Sequence, residues 1–151
     1  MLKILVSSCL LGKPVRYDAK AKTFESDILA LWQSEGRLVS MCPEMLGGLP
    51  TPRPPAEITG VSKIVDDTGT NVTAPFLLGA KRALEIAKTS GCSFALLTDG
   101  SPSSGSSYIY DGTLSDQRID GQGVVTALLR KHGIQVFSPT QIDRLAQIIR
   151  A

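Results

Sequence analysis

The segment Phe94-Ala95-Leu96-Leu97, followed by Thr98-Asp99-Gly100-Ser101-Pro102-Ser103-Ser104-Gly105-Ser106-Ser107, decides the fold class. Four consecutive apolar residues that end at turn-forming residues are typical of a strand buried on both faces. The residues that follow are mostly small and polar, which is typical of a connecting loop that carries function. The sequence therefore predicts a buried strand that leads directly into a functional loop.

The same pattern of short apolar runs and helical spacing extends over the chain. Apolar runs at 2–6, 38–41 and 134–137 predict further strands, and 64–72 predicts a strand or hairpin edge that turns at 67–69. Helical periodicity predicts helices over 23–34, 74–90, 123–131 and 141–150. The stripe of the second predicted helix is Phe76, Leu77, Ala80, Leu84 and Ala87. Strands alternating with helices predict a three-layer, Rossmann-like α/β fold, with a mostly parallel sheet and helices on both faces.

Length and composition fit one domain that spans residues 1–151, with 42% hydrophobic and 20% charged residues. The net charge of +2 comes from 16 basic and 14 acidic residues without a run of one sign, so charge gives no argument for nucleic-acid binding. The N-terminal apolar run is too short for a signal peptide or a membrane span. We therefore expect a cytoplasmic protein without a membrane partner.

Three cysteines stand far apart, at Cys9, Cys42 and Cys92. In a reducing compartment, an odd number of dispersed cysteines indicates free thiols, metal ligands or catalytic groups rather than disulfides. Cys9, Cys42 and the Ser104 loop each follow a predicted strand, so we expect them to meet at one edge of the sheet. Cys92 fits a buried apolar residue. The single histidine, His132, lies at a predicted helix end and makes a Cys–His pair an unfavourable hypothesis.

Several segments occur in an order that resembles a known family. They are Cys9-Leu10-Leu11-Gly12 with Val15-Arg16-Tyr17-Asp18, Cys42-Pro43-Glu44 with the proline-rich stretch 46–57, and Ser101-Pro102-Ser103-Ser104-Gly105-Ser106 with Ile109-Tyr110-Asp111-Gly112-Thr113. This set resembles the DUF523 family, whose characterised relatives include thiouracil desulfidases. The similarity runs from Met1 to about Phe137.

The resemblance implies a cofactor. In that family three cysteines hold a [4Fe-4S] cluster and leave one iron open for chemistry. Two of the ligands match Cys9 and Cys42, and the position of the third is Ser104. A serine oxygen is a harder ligand than a thiolate. Three explanations therefore stay open: Ser104 ligates weakly, the chain is a cysteine-to-serine variant of an active protein, or this member has lost the cluster. Zinc bound by Cys9 and Cys42 is a further alternative.

The resemblance also implies an activity, which is the non-redox removal of sulfur from a thiolated pyrimidine. The substrate would be 2-thiouracil or a 4-thiouridine-type base or nucleotide. Glu44 and Ser101 are the expected catalytic residues, and Ser103, Gly105 and Arg53 the expected substrate-binding residues, with Arg53 and the loop amides receiving a phosphate. The rival hypothesis is a cluster-free module that binds a small anion or nucleotide, because the serine-rich loop has the amide-rich character of an anion-binding nest.

Overall fold

The computed structural model describes residues 1–20, 24–59 and 63–150. In chain order its elements are β1 (Lys3–Ser7), α1 (Asp27–Ser34), β2 (Leu38–Met41), α2 (Pro43–Leu46), β3 (Ala56–Ile58), β4 (Ile64–Asp66), α3 (Thr73–Ser90), β5 (Cys92–Leu96), β6 (Tyr108–Tyr110), β7 (Arg118–Asp120), α4 (Val124–Lys131), β8 (Gln135–Phe137) and α5 (Ile142–Arg150). None of the described helices is long and apolar enough to span a membrane.

A parallel sheet of four strands forms the centre, in the order β2-β1-β5-β8. Strand β1 pairs with β2 on one side and β5 on the other, with Val6 opposite both Ser40 and Leu96. All three pairings are parallel. The carboxyl ends of the strands therefore lie along one edge, as the sequence predicts.

Side chains of successive residues in β1 point to opposite faces of the sheet and pack against different helices. Leu5 belongs to an apolar cluster with residues of α3 and α4, whereas Ile4 and Val6 belong to a second cluster with residues of α1 and α5. The sheet thus has helices on both faces, which confirms the three-layer α/β prediction.

Two helices differ from their predicted form. Helix α1 begins at Asp27, where the Ser26 hydroxyl accepts a hydrogen bond from the Leu29 N–H (3.3 Å); Thr23, the predicted start, lies outside the described residues. In α3, Leu77 is 52% exposed, so its assignment to the buried stripe is wrong. A residue one position after Phe76 lies about 100° further around the helix, and the small Ala83 occupies the buried face instead.

The sequence patterns predicted β4 as the start of the segment 64–72, but they did not predict α2, β3, β6 or β7. Strand β3 pairs with β4, and β6 pairs with β7. Each of these strands has only three residues, which is too short for a clear period of two. The turn at 67–69 is present as predicted, and the Asp66 carboxylate stabilises it by accepting from the N–H groups of Thr68 and Thr70.

Candidate active site

A cavity of about 310 Å³ lies where the loops after β1, β2 and β5 converge. Cys9, Cys42 and Ser104 all line it, together with Glu44 and Ser101. The structure therefore brings the three predicted loops to one site. Cys92 is the first residue of β5 and pairs with Lys3, the first residue of β1. It therefore lies at the opposite end of the strand from the cavity, which it does not line.

The backbone elements that follow β1 and β2 determine the positions of Cys9 and Cys42. Cys9 lies in a short 3-10 helix directly after β1. This helix ends at Gly12, whose φ of 91° is left-handed. Cys42 is the N-terminal capping residue of α2, and Pro43 in the first turn stops the extended strand from continuing. Both thiols are thereby held just beyond the ends of neighbouring strands.

Helix α2 is fixed against α3 by two glycines. A Cβ atom on Gly79 would lie 2.0 Å from the Pro43 carbonyl oxygen, and one on Gly47 would lie 1.9 Å from the Pro75 carbonyl oxygen. Only residues without a side chain allow this approach. The contact determines where the turn that carries Cys42 and Glu44 sits.

The Cys42 thiol has an electronegative environment. Its Sγ lies 3.6 Å from Glu44 Oε2 and 3.8 Å from the Val15 carbonyl oxygen. Burial, and next the negative charge of Glu44, raise the pKa of the Cys42 thiol to about 11. With its own side chains alone, the site keeps this sulfur protonated at neutral pH.

Glu44 is connected to the serine loop by a chain of hydroxyl groups. The side chain is buried, and its Oε1 accepts a short hydrogen bond from the Ser103 hydroxyl. Ser103 Oγ lies 3.0 Å from Ser101 Oγ and 3.2 Å from Ser104 Oγ. A proton can therefore pass between the cavity wall at Ser101 and the Glu44 carboxylate through one intervening hydroxyl.

Ser104 is 2% exposed, and its N–H donates to Ser101 Oγ at 2.8 Å. Among the described residues, no three histidine, cysteine or acidic side chains form a group that could hold a metal ion. Cys9, Cys42 and Ser104 place two thiols and one hydroxyl around the same cavity. This donor set fits a cluster held by two sulfur ligands and one oxygen ligand.

The serine-rich loop is not an open anion-binding nest. The Asp99 carboxylate accepts from the N–H groups of Gly100 (2.9 Å), Ser106 (2.9 Å), Ser107 (3.2 Å) and Tyr108 (3.3 Å). Although burial acts to raise it, these amides lower the pKa of Asp99 below its ordinary value. Several backbone N–H groups of the loop that was expected to bind a phosphate thus donate to a carboxylate of the chain itself. This argues against the anion-binding hypothesis.

Two of the predicted substrate-binding residues, Arg53 and Gly105, make close contacts within the chain. Arg53 lines the cavity, but its guanidinium donates to the carbonyl oxygens of Val15 (3.2 Å) and Pro50 (3.3 Å) and lies 3.9 Å from Glu44 Oε2. Gly105 lies outside the cavity wall, with Tyr108 O and Ser101 O within 3.0 Å of the position of a Cβ atom. Arg53 connects the loops of the site, and Gly105 allows the loop to fold tightly.

The cavity wall also contains two tyrosines, Tyr108 and Tyr110, to which the sequence patterns assign no role in the site. The Tyr108 ring lies against Gly100, where a Cβ atom would be 2.7 Å from the ring. The guanidinium of Arg118, which belongs to β7, lies 4.2 Å from the centroid of the Tyr108 ring. Tyr110 contacts the Tyr108 ring edge-on. The two tyrosines flank Ile109 in a strand of three residues, which is too short to give a clear sequence signal.

Comparison with known proteins agrees with this geometry. The family model described as 2-thiouracil desulfurase matches residues 4–141. The chain belongs to the 2-thiouracil desulfurase family. This confirms the resemblance to DUF523 proteins and identifies the chain as a member of an enzyme family.

Two relatives cover nearly the whole chain. The structure of a [4Fe-4S]-dependent thiouracil desulfidase, TudS (DUF523), is 50% identical, covers 99% of both chains and superimposes with a TM-score of 0.97. The protein YbbK of Bacillus subtilis (strain 168), described as uncharacterized, is 40% identical over an alignment of 149 residues that covers 93% of this chain and 97% of that protein. The architecture of this member of the 2-thiouracil desulfurase family is therefore that of a known iron–sulfur desulfidase.

Proposed function

We propose that the chain is an iron–sulfur-dependent, non-redox desulfidase that converts the thiocarbonyl of a thiolated pyrimidine to a carbonyl. The observation that carries the proposal is the convergence of Cys9, Cys42 and Ser104 on the cavity that also contains Glu44. The family assignment and the desulfidase named TudS point to the same chemistry. The cofactor would be a [4Fe-4S] cluster held by these three side chains.

The overall reaction consumes one water and releases one hydrogen sulfide, and no electrons are transferred. When bound, the cluster supplies a Lewis-acidic iron, with no side chain as its ligand, to the substrate sulfur. Glu44 is the general base for the attacking water, because it is the buried carboxylate beside the cluster ligands. Ser103 orients Glu44, and Ser101 lies at the other end of the hydroxyl chain, where it hydrogen-bonds the reacting group.

The free base 2-thiouracil is the substrate form that the cavity favours over a nucleotide. A phosphate requires free cationic or N–H donors. The Arg53 guanidinium already donates to carbonyl oxygens, and the amides of the serine-rich loop already bind Asp99. A 4-thiouridine-type nucleotide would have to displace these contacts before Arg53 or the loop amides could bind its phosphate.

Anaerobic reconstitution with iron and sulfide tests the proposal. We expect about four irons per chain, the composition of a [4Fe-4S] cluster, and sulfide release from 2-thiouracil at a higher kcat/KM than from 4-thiouridine monophosphate. Cys9→Ala and Cys42→Ala should each abolish both iron retention and sulfide release. Cys92→Ala is the matched control, because this cysteine lies outside the cavity, and it should change neither.

The Ser104→Cys variant tests the third ligand position. A thiolate binds cluster iron more readily than a serine oxygen, so this variant should retain more iron after desalting and release sulfide faster than the parent chain. Unchanged iron content in Ser104→Cys, together with full activity in Cys9→Ala or Cys42→Ala, would show that the cavity does not hold a cluster.

A further inference from the structure

Thr98 is the second residue after β5 and lines the cavity beside the turn that carries Cys9. Its N–H donates to Ser7 Oγ at 3.0 Å, and Ser7 is the last residue of β1. This bond fixes the Thr98 backbone between the ends of the two central strands. Thr98 is thereby held beside the turn that begins at Ser8 and carries Cys9.

The Thr98 hydroxyl is unusual among the polar groups of the site. Within the described residues, its Oγ1 is shielded from solvent and has no hydrogen-bond partner. The hydroxyls of Ser101 and Ser103 in the same cavity are both hydrogen-bonded. Buried polar groups without a partner are uncommon in folded proteins, and each requires a physical reason, of which a role at a functional site is one.

We propose that Thr98 is a substrate-binding residue whose hydroxyl hydrogen-bonds the polar edge of the pyrimidine ring. The ring presents alternating N–H and carbonyl or thiocarbonyl groups, and a threonine hydroxyl can donate to one and accept from the other. Threonine also exchanges between staggered χ1 rotamers, so its Oγ1 can turn to either group. This assignment rests on the proposed function and adds one specific contact to it.

Two other hydroxyls provide matched controls. Thr59 Oγ1 and Ser106 Oγ are also buried without a partner among the described residues, but neither residue lines the cavity. Thr59→Val makes the same chemical change as Thr98→Val away from the site. Ser106→Ala removes an equivalent hydroxyl from the serine-rich loop.

Equilibrium binding and thermal unfolding of the same proteins test the assignment. Isothermal titration with 2-thiouracil and with uracil gives the Kd, and a melting curve gives the Tm. Thr98→Val should raise the Kd for both ligands about fivefold, the loss expected for one neutral hydrogen bond. Its Tm should stay the same or rise, because the variant removes a buried hydroxyl that has no partner. Thr98→Ser should restore the Kd, and both control variants should leave it unchanged.

The opposite pattern overturns the assignment. An unchanged Kd in Thr98→Val, with or without a lower Tm, would mean that the hydroxyl does not contact the ring and serves the fold alone. If the parent chain itself neither binds 2-thiouracil nor releases sulfide from it, the proposed function fails and the assignment fails with it. An unchanged Kd in Thr98→Val, when the parent chain binds and desulfurises 2-thiouracil, rejects only the role of Thr98 and leaves the proposed function standing.

Discussion

Replacing Ser103 by alanine tests the hydroxyl chain that connects Glu44 to the cavity. The Ser103 side chain is 1% exposed and contacts Glu44 Oε1, Ser101 Oγ and Ser104 Oγ. Its bond to the carboxylate is the strongest of the three, because one partner is charged. Alanine leaves a buried carboxylate oxygen without its main donor.

The magnitude follows from that single bond. A hydrogen bond to a charged group contributes about 1.5–3 kcal/mol, so a loss of about 2 kcal/mol in transition-state stabilisation lowers kcat roughly 30-fold. KM should change much less if Ser103 acts on the reaction by orienting Glu44, as its hydrogen bond to that carboxylate indicates. Folding stability should also fall by about 1–2 kcal/mol, because Glu44 stays buried.

The assay is steady-state sulfide release by the anaerobically reconstituted chain, with guanidinium unfolding of the same preparation. Ser106→Ala is the control, because its hydroxyl belongs to the same loop and has no partner among the described residues. A Ser103→Ala variant with kcat within twofold of the parent, and with the expected loss of stability, would refute a role for Ser103 in proton transfer and leave it a structural residue.

Two further predictions concern the support of the site. The pKa of Asp99 is lowered in the folded chain, so its contribution to stability is present above the ordinary carboxyl pKa of about 4 and is lost as pH falls through the lower folded pKa. Asp99→Asn should therefore flatten the loss of stability as pH falls below about 4, measured by urea unfolding at decreasing pH; an unaltered pH profile would contradict this. Gly79→Ala should lower Tm even though alanine favours helix by about 1 kcal/mol, because its Cβ would lie 2.0 Å from the Pro43 carbonyl oxygen; a higher Tm would mean that α2 and α3 separate easily.

The central sheet could be predicted from sequence because each of its strands is a short apolar run. Phe94, Ala95 and Leu96 are all at most 8% exposed, and such runs carry a clear signal. Because parallel strands place their following loops along one edge, the same signal predicted that Cys9, Cys42 and Ser104 meet. Fold and site location thus came from one physical rule.

The contacts inside the site could not be predicted in the same way. Nothing in the sequence indicates the partners of Asp99 and Arg53. Only the folded chain brings four backbone amides to the Asp99 carboxylate and the Val15 carbonyl oxygen to the Arg53 guanidinium. The short strands β3, β4, β6 and β7 depend on their partners rather than on a periodicity of their own. Tertiary pairing, which a local pattern does not contain, decided each of these features.

The close contact between α2 and α3 has a consequence for redesign of this enzyme. Because Gly79 in the middle of an 18-residue helix touches the carbonyl of Pro43, the turn that carries Cys42 and Glu44 has almost no freedom to tilt or slide. Attempts to accommodate a bulkier heterocycle should leave this side untouched. They have more room on the wall formed by Tyr108 and Tyr110, whose short ribbon is held by few strand pairings and can accept smaller side chains.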